Sequence, residues 1–440
     1  MRVIYLAAGA GGMICGSCIR DNRLVATLRR HGRDALLVPL YTPLRVDEDN
    51  VAEPQVRFGG INVYLQQSAA LFRRLTLFDW LLDRPWLIRW ASRGGGNIDP
   101  SRLGPLTLSV LRGADGRLKR ELRKLIDALK PLRPNVVNIP NLMFAGFARP
   151  LSEALGAPVV CTLSGEDLFL DSLPETPRRE AIEIIRERAR DIAAFVSVSS
   201  YFAAHCGRLF GLPEDRLRVI PLGITPLDDT PRQEPNGVFT LGFLGRVCHA
   251  KGLHNLTEAL IRLHQDGVEA RVVAAGHMPT SEQRYLDDIT RALRSAGAAE
   301  HFEYRGELSL VEKLNFLRSL HAFSMPTVYH EAKGLPVLEA QSLGVPVAQP
   351  RHGAFPEWIE PTGGGLLYDP AEPHGLATTL ARLASDSDLR RQLGAAGHAG
   401  VRRWFTDERM ARETWDLYER VLRGAPIDGD AAAPQSSSAT

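Results

Sequence analysis

The chain reads as an α/β protein made of two doubly wound domains in series, and three observations carry that reading. Its 440 residues exceed what one hydrophobic core ordinarily organises. Apolar runs of strand length alternate with longer runs of helical period, and the alternation starts twice. The first start is Val3-Ile-Tyr-Leu-Ala-Ala, running into Gly9, Gly11 and Gly12; the second is Val238-Phe-Thr-Leu-Gly-Phe-Leu, running into Gly245 and Arg246. Residues 223–237 between them are rich in Pro, Asp and Gly without apolar periodicity, which is the composition of a linker.

Taken in order, the opening strand and its glycine loop lead to a helix over about 17–30, stopped by Gly32, and a second strand at 34–39. Such a first loop faces the ligand cleft at the carboxyl ends of the strands. Residues 101–130 are expected to be helical. Strands follow at 135–139, 158–163, 194–198 and 216–222, with helices at 142–155, 177–190 and 201–210 between them. Thr176 is placed to cap the middle helix, with Pro177 suited to its first position. The second series predicts strands at 238–244, 271–275, 302–304, 322–325 and 346–348. Its helices are predicted at 252–264, 282–296, 310–317, 375–384, 388–403 and 407–423. The boundaries expected are therefore 1–222, linker 223–237, 238–405, a last helix 406–423, and an Ala/Pro/Ser-rich tail 424–440 that reads as disordered.

Two stretches carry chemistry. Tyr329-His-Glu331-Ala332-Lys333-Gly334-Leu335-Pro-Val-Leu-Glu339-Ala places two carboxylates about a predicted helix mouth, with Gly334 at the mouth and Pro336 in the first turn. Exposed N–H groups at a helix N-terminus attract phosphate, and carboxylates accept sugar or ribose hydroxyls, so the layout suits a sugar–diphosphate–nucleoside. Arg246 and Lys251 bracket a short loop at the end of a strand, with a helix beyond. Fixed cations there stabilise negative charge developing on a leaving diphosphate. Arg246 suits a forked phosphate contact and Lys251 a point charge.

The 331–340 string, followed by Gly344-Val-Pro346-Val, resembles the E-x7-E motif of family-4 glycosyltransferases, and Gly245-Arg246 to Lys251-Gly252 resembles that family's R-x4-K. The resemblance covers nearly the whole chain before the tail. It implies a GT-B architecture, two Rossmann-like domains facing each other across a cleft, with the last helix crossing back to the N-terminal domain. It also implies transfer with retention of anomeric configuration from a nucleotide sugar, mostly without metal and with no cofactor. The donor nucleotide stays open among UDP, GDP and ADP, and the hydroxyl-bearing acceptor among glycan, lipid and small molecule. By resemblance, Glu331 holds donor-sugar hydroxyls, Glu339 the ribose, and backbone N–H groups of Ala332 to Leu335 the phosphates. Gly11, Gly12 and Gly276 lie beside the diphosphate or nucleotide. The other readings are a sugar-nucleotide epimerase of the same architecture and a nucleotide-sugar-binding protein without turnover.

The sequence departs from the family in places. Ala250 stands where a glutamate is usual, and no histidine occurs from Arg33 to Ala204. That leaves Glu166, Asp167, Asn138 and Asn141, at strand carboxyl ends, as acceptor-side candidates. Glu166 is placed to orient or deprotonate an acceptor hydroxyl, or else to cap a helix or pair with a base. Residues 71–90 are apolar, basic and Trp-bearing. Trp80 falls on the face opposite the apolar stripe of Leu71, Leu75, Phe78 and Leu82, which suits an acceptor or a peripheral membrane surface, or else a satellite helix pair whose tryptophans are core. Cys15 and Cys18 form a C-x-x-C at a helix start; a single pair is half a zinc site, and the cysteines read as small residues packed near the donor.

Composition bounds the rest. Hydrophobic content of 44% and charged content of 24% are those of a globular protein. A net charge of +2 shows no electrostatic footprint for nucleic acid. No apolar run reaches membrane-spanning length, and the N-terminus lacks the marks of a signal peptide. Five cysteines, an odd number, do not suggest a disulfide framework. The compartment expected is the cytoplasm, with contact at the inner face of a membrane left open.

Overall fold

The computed structural model describes residues 1–9, 14–56, 104–226 and 232–427. Trp80 with the rest of the 71–90 segment, Gly11, Gly12 and the tail beyond 427 lie outside the described residues. The described residues divide into two compact units, 1–221 together with 410–427, and 222–409.

The first unit holds strands β1 (Arg2–Ala7), β2 (Asp34–Pro39), β3 (Val136–Ile139), β4 (Val159–Thr162), β5 (Ala194–Ser197) and β6 (Leu217–Val219). They form one sheet, ordered β2-β1-β3-β4-β5-β6, with every neighbouring pair parallel. Its described helices are α1 (Gly16–Arg30), α2 (Gly104–Leu111), α3 (Lys119–Leu129), α4 (Ala148–Leu155), α5 (Glu166–Asp171), α6 (Glu175–Arg188) and α7 (Ser200–Phe210). Strands β1, β3, β4 and β5 are buried over almost their whole length, which is why they read as continuous apolar runs rather than alternating ones.

The second unit holds β7 (Phe239–Leu244), β8 (Ala270–Ala275), β9 (Phe302–Tyr304), β10 (Ala322–Phe323), β11 (Val347–Pro350) and β12 (Gly365–Tyr368). Their order is β12-β11-β10-β7-β8-β9, again all parallel. The helices are α8 (Leu253–Gln265), α9 (Gln283–Ser295), α10 (Leu310–Arg318), α11 (Leu335–Ser342), α12 (Phe355–Thr362), α13 (Gly375–Ser385) and α14 (Ser387–Trp404). The strand order turns back between β7 and β10. In an open parallel sheet that reversal leaves a crevice at the carboxyl ends of the two central strands.

α15 (Asp407–Arg423) closes the described chain. From Met410 on it belongs to the first unit, where Met410, Ala411, Trp415, Leu417 and Tyr418 share one apolar cluster with Val3, Leu24, Leu28 and Val136. Just before it, residues 405–407 run beside 223–225: the Ile224 amide donates to the Phe405 carbonyl at 2.7 Å and the Asp407 amide to the Ile224 carbonyl at 3.1 Å. A Cβ at Gly223 would lie 2.5 Å from Asp407 Cα, so only glycine lets these segments approach so closely.

Several elements differ from the reading of the sequence. The long helix expected over 101–130 is two helices, α2 and α3, separated by a tight turn at Gly113–Asp115. The break sits where Gly113, at φ +56, passes against the Gly146 carbonyl, a conformation and a closeness that suit only glycine. The 142–155 segment begins as a 3-10 turn (Leu142–Phe147) before α4. α6 starts at Glu175 with Pro174 before it, so Thr176 lies inside the helix and does not cap it. Three elements, α5, α12 and β12, had no distinct signal in the sequence; α12 carries Pro356 near its start and Pro361 inside, which hides its period.

Beneath the first sheet's carboxyl edge lies a buried polar network. Tyr418 on α15 donates to Asn138 Oδ1 at 3.1 Å, and Asn138 Nδ2 donates to Thr162 Oγ1 at 3.0 Å. The Tyr5 hydroxyl lies 3.0 Å from Thr162 Oγ1 and donates to Asp21 Oδ1 at 2.9 Å. Replacing Tyr418 by Phe leaves the buried Asn138 oxygen without its best donor. Thermal or denaturant unfolding of Tyr418→Phe is expected to show a loss of roughly 1–3 kcal/mol; unchanged stability would mean that this bond does not fasten α15.

Candidate functional site

The crevice of the second unit is lined by the segments that leave β7, β8 and β10. After β7, Gly245 and Arg246 lead to a 3-10 turn at His249–Lys251, closed by Gly252 at φ +76. A Cβ at Gly252 would fall 1.8 Å from the Pro326 carbonyl oxygen, which is how closely the β7 and β10 loops meet. The Val328 amide bonds the Ala250 carbonyl at 3.0 Å, tying the same two loops by backbone. After β8, Gly276 holds φ +129 and has no room for a side chain against the Gly245 carbonyl. The His277 carbonyl accepts from Val247 at 2.8 Å.

Lys251 and Glu331, far apart in sequence, meet here. Lys251 Nζ is 2.5 Å from Glu331 Oε2 and also donates to the Tyr329 hydroxyl at 2.5 Å. Tyr329 in turn donates to Glu331 Oε2 at 2.5 Å, and the Lys333 amide donates to Oε1 at 3.1 Å. Glu331 is 3% exposed. Burial pushes its carboxyl up, but the Lys251 charge and hydrogen bond, the Tyr329 hydroxyl and the Lys333 amide outweigh burial and hold it at about 2. Burial and the Glu331 charge push the Tyr329 phenol well up, so it is a neutral donor. Arg246 acts on that phenol in the opposite sense; it is exposed and, among the described residues, makes no ion pair.

Two further contacts fix Glu331. The Ala354 amide donates to the Glu331 carbonyl at 2.7 Å, and Gly353, at φ +58, has no space for a Cβ against the same oxygen. Beside it the rings of His330 and His352 stack with centroids 4.8 Å apart. The chain then turns at Gly334, φ +63, into α11, with Pro336 in its first turn. Trp358 Nε1 would lie 3.1 Å from a Cβ at Gly334, so the helix mouth is closed on one side by an indole. Ala332 and Leu335 are buried and Lys333 is half-buried. Glu339, one turn into α11, forms a buried ion pair with Lys313 of α10 at 2.8 Å.

The first unit gathers its own candidates at the carboxyl ends of β3 and β4. Asn138 is fully buried in the network described above. Asn141 caps the 3-10 turn, accepting the Met143 amide at 3.1 Å. Glu166 is 2% exposed and clamps two loops, accepting the Leu142 amide at 3.0 Å and the Ser164 amide at 2.8 Å. Asp167 Oδ2 lies 3.4 Å from His205 Nε2 of α7, and burial pushes its carboxyl up. His205 lies just beyond the histidine-free stretch and is the imidazole the first unit brings to this edge.

Sequence reasoning missed Tyr329 and Lys313. Tyr329 stands two residues before Glu331, and alternation along an extended segment puts i and i+2 on one side, so a signal existed. Lys313, 26 residues from its partner, had none. Among the described residues no group of three or more His, Cys, Asp or Glu is placed to hold a metal ion, and no helix is long and apolar enough to cross a membrane.

This architecture, two all-parallel α/β units with the charged crevice at the second sheet's strand reversal, is the GT-B fold. Sucrose-phosphate synthase from Thermosynechococcus elongatus superposes with a TM-score of 0.68 at 17% identity, over 97% of this chain and 100% of that one. HepE from Anabaena, in complex with UDP and glucose, gives 0.66 at 15% identity over 95% and 99% of the two chains. Two family models match consecutively: Glycosyltransferase Family 4 over residues 59–226 and Glycosyl transferases group 1 over residues 227–399. The chain belongs to the group 1, family 4 glycosyltransferases. Among curated proteins it is 26% identical to the MMP alpha-(1->4)-mannosyltransferase of Mycolicibacterium hassiacum, over 55% of this chain and 57% of that protein. It is 29% identical to the 2-deoxystreptamine glucosyltransferase of Streptomyces kanamyceticus, over 47% and 52%. The alignments thus span little more than half the length of these relatives.

The depressed Glu331 carboxyl has a consequence for stability. A group whose pKa is lower folded than unfolded adds stability above its unfolded value and loses it as pH falls through its folded one. For Glu331 that window runs from the ordinary 4.5 down to about 2. Denaturant unfolding across acid pH is expected to show wild type losing on the order of 3 kcal/mol more than Glu331→Gln over this window. Parallel pH profiles would contradict the pairing.

Proposed function

We propose that the chain is a retaining glycosyltransferase that moves a sugar from a nucleoside-diphosphate donor to a hydroxyl-bearing acceptor. The observation that carries this is the meeting of Lys251, Tyr329 and Glu331 where the second sheet's strand order reverses, with Arg246 open on the same loop. The UDP and glucose bound by the structurally similar HepE support a nucleotide sugar as donor.

In this reading the diphosphate lies along the β7 loop, where Arg246 offers a fork and Lys251 a point charge. Gly276 and the Ala332–Leu335 turn let the backbone approach it, and the N-terminus of α11 faces the anion. Glu331 holds sugar hydroxyls, kept ionised by Lys251 so that it accepts from them. Glu339 serves the ribose, with Lys313 fixing its carboxylate. The bond from the anomeric carbon to the diphosphate breaks as the acceptor oxygen bonds the same face, and the acceptor proton passes to the leaving phosphate. Arg246 and Lys251 act chiefly where negative charge grows, so their effect falls on turnover. Glu166 and Asn138 position the acceptor-side loops; Asp167 with His205, and Asn141, are the polar groups that the first unit offers to an acceptor. No metal or cofactor has a part in this scheme.

UDP-, GDP- and ADP-sugars added one at a time should raise the melting temperature for one base and release that nucleoside diphosphate. Saturation at 100 times Kd stabilises by about 2.7 kcal/mol. Arg246→Ala is expected to lower transfer roughly 10²–10³-fold while the fold is retained; turnover at the wild-type rate would remove the diphosphate role. Glu331→Gln and Glu339→Gln separate sugar from nucleotide. Free nucleoside diphosphate should bind the first nearly as wild type and the second more weakly, and equal loss in both would overturn the assignment.

A further inference from the structure

The dithiol at the start of α1 has no part in the scheme above, and its geometry is specific. Cys15 is the N-cap of the helix, with extended φ −133 and ψ 146, and its Sγ accepts the Cys18 amide at 3.4 Å. The two sulfurs stand 3.2 Å apart. Cys15 is partly exposed, whereas Cys18 is 4% exposed and belongs to the apolar cluster under β1. One sulfur is thus open to a reagent and the other is held behind it within reach. A helix N-terminus stabilises negative charge on sulfur, which favours attack by Cys15. The remaining cysteines lack these features: Cys161 and Cys206 are fully buried and burial pushes both thiols up, and Cys248 is 5% exposed.

The geometry points to a reversible dithiol–disulfide site at Cys15 and Cys18, directly after the glycine loop, that exchanges with thiol–disulfide reagents and lowers turnover when oxidised. Cys15 thiolate attacks one sulfur of a disulfide RSSR and expels RS⁻. The Cys18 sulfur, giving up its proton to solvent, then attacks Cys15 in the mixed disulfide and expels the second RS⁻. The protein dithiol loses two electrons and two protons, and the reagent is reduced to two thiols. Bonding draws the sulfurs from 3.2 Å to about 2.05 Å, which shifts the side chain that caps α1. The effect on turnover rests on the proposed donor role of the glycine loop; the exchange itself does not.

The full chain is equilibrated with reduced and oxidised glutathione at set ratios, quenched with acid and an alkylating agent, and mapped by mass spectrometry. The peptide bearing both cysteines is expected to pass from a doubly alkylated form to an unalkylated form lighter by two hydrogens, reversibly, while Cys161, Cys206 and Cys248 stay reduced. Cys18→Ser should stop at a glutathione adduct on Cys15. Absence of the internal disulfide at every ratio would overturn the site. Transfer by the wild type should fall severalfold on oxidation and recover with dithiothreitol. Cys15→Ser, whose hydroxyl keeps the cap, should be indifferent to both. Equal turnover in the two redox states would overturn the regulatory part. Absence of turnover in both states would instead count against the transferase reading, and the peptide map would still decide this one.

Discussion

Burying the Glu331 carboxylate costs several kcal/mol unless a cation and hydrogen bonds replace the water it leaves. The second unit supplies both: Lys251 from the β7 loop, Tyr329 from the same segment and the Lys333 amide. Much of the unit's architecture serves this one contact. The strand order places β7 beside β10 so that their loops adjoin. Gly252, Gly276 and Gly353 let three backbone segments close on one another where any side chain would collide. The Ala354 amide fastens the Glu331 carbonyl from behind. A site assembled this way is preorganised: its acid stays charged and its cation stays aimed before any ligand arrives.

The same contact explains the division of labour. Lys251 and Glu331 neutralise each other in the protein without ligand, leaving Arg246 as the open cation on the loop. In the proposed scheme Arg246 and Lys251 would face the donor phosphate and Glu331 the sugar hydroxyls, so that donor phosphate and donor sugar would be read by linked partners. Lys313 and Glu339, a second buried pair one helix away, stand apart from this exchange.

The fold was legible in the sequence wherever burial is uniform. β1, β3, β4, β5 and β7 read as apolar runs because both faces are covered, and Gly334–Pro336 marked the start of α11 by backbone chemistry alone. β12, whose Gly365, Leu366 and Leu367 are only half-buried, gave no such run, and the prolines of α12 masked its period. Motif and spacing named the candidate charged residues Arg246, Lys251, Glu331 and Glu339 in the sequence. Tyr329 carried only its i, i+2 place before Glu331 as a signal, too weak to single out one aromatic. Lys313 could not be singled out either, because a helix lysine pairing with a buried acid is fixed only by tertiary structure. In the first unit the polar residues were found but not their work. Glu166 and Asn138 proved to be fully engaged with loops and with Tyr418, which requires the last helix to be in place.

A nucleoside diphosphate held at the strand reversal of the second unit would protect the loops that line it, and amide hydrogen exchange of the full chain, with and without the nucleoside diphosphate that binds it, reads those loops one by one. New protection is expected in residues 245–252, 276–277 and 329–339. Unchanged exchange in those segments with the ligand bound, or protection confined to the first unit, would contradict it.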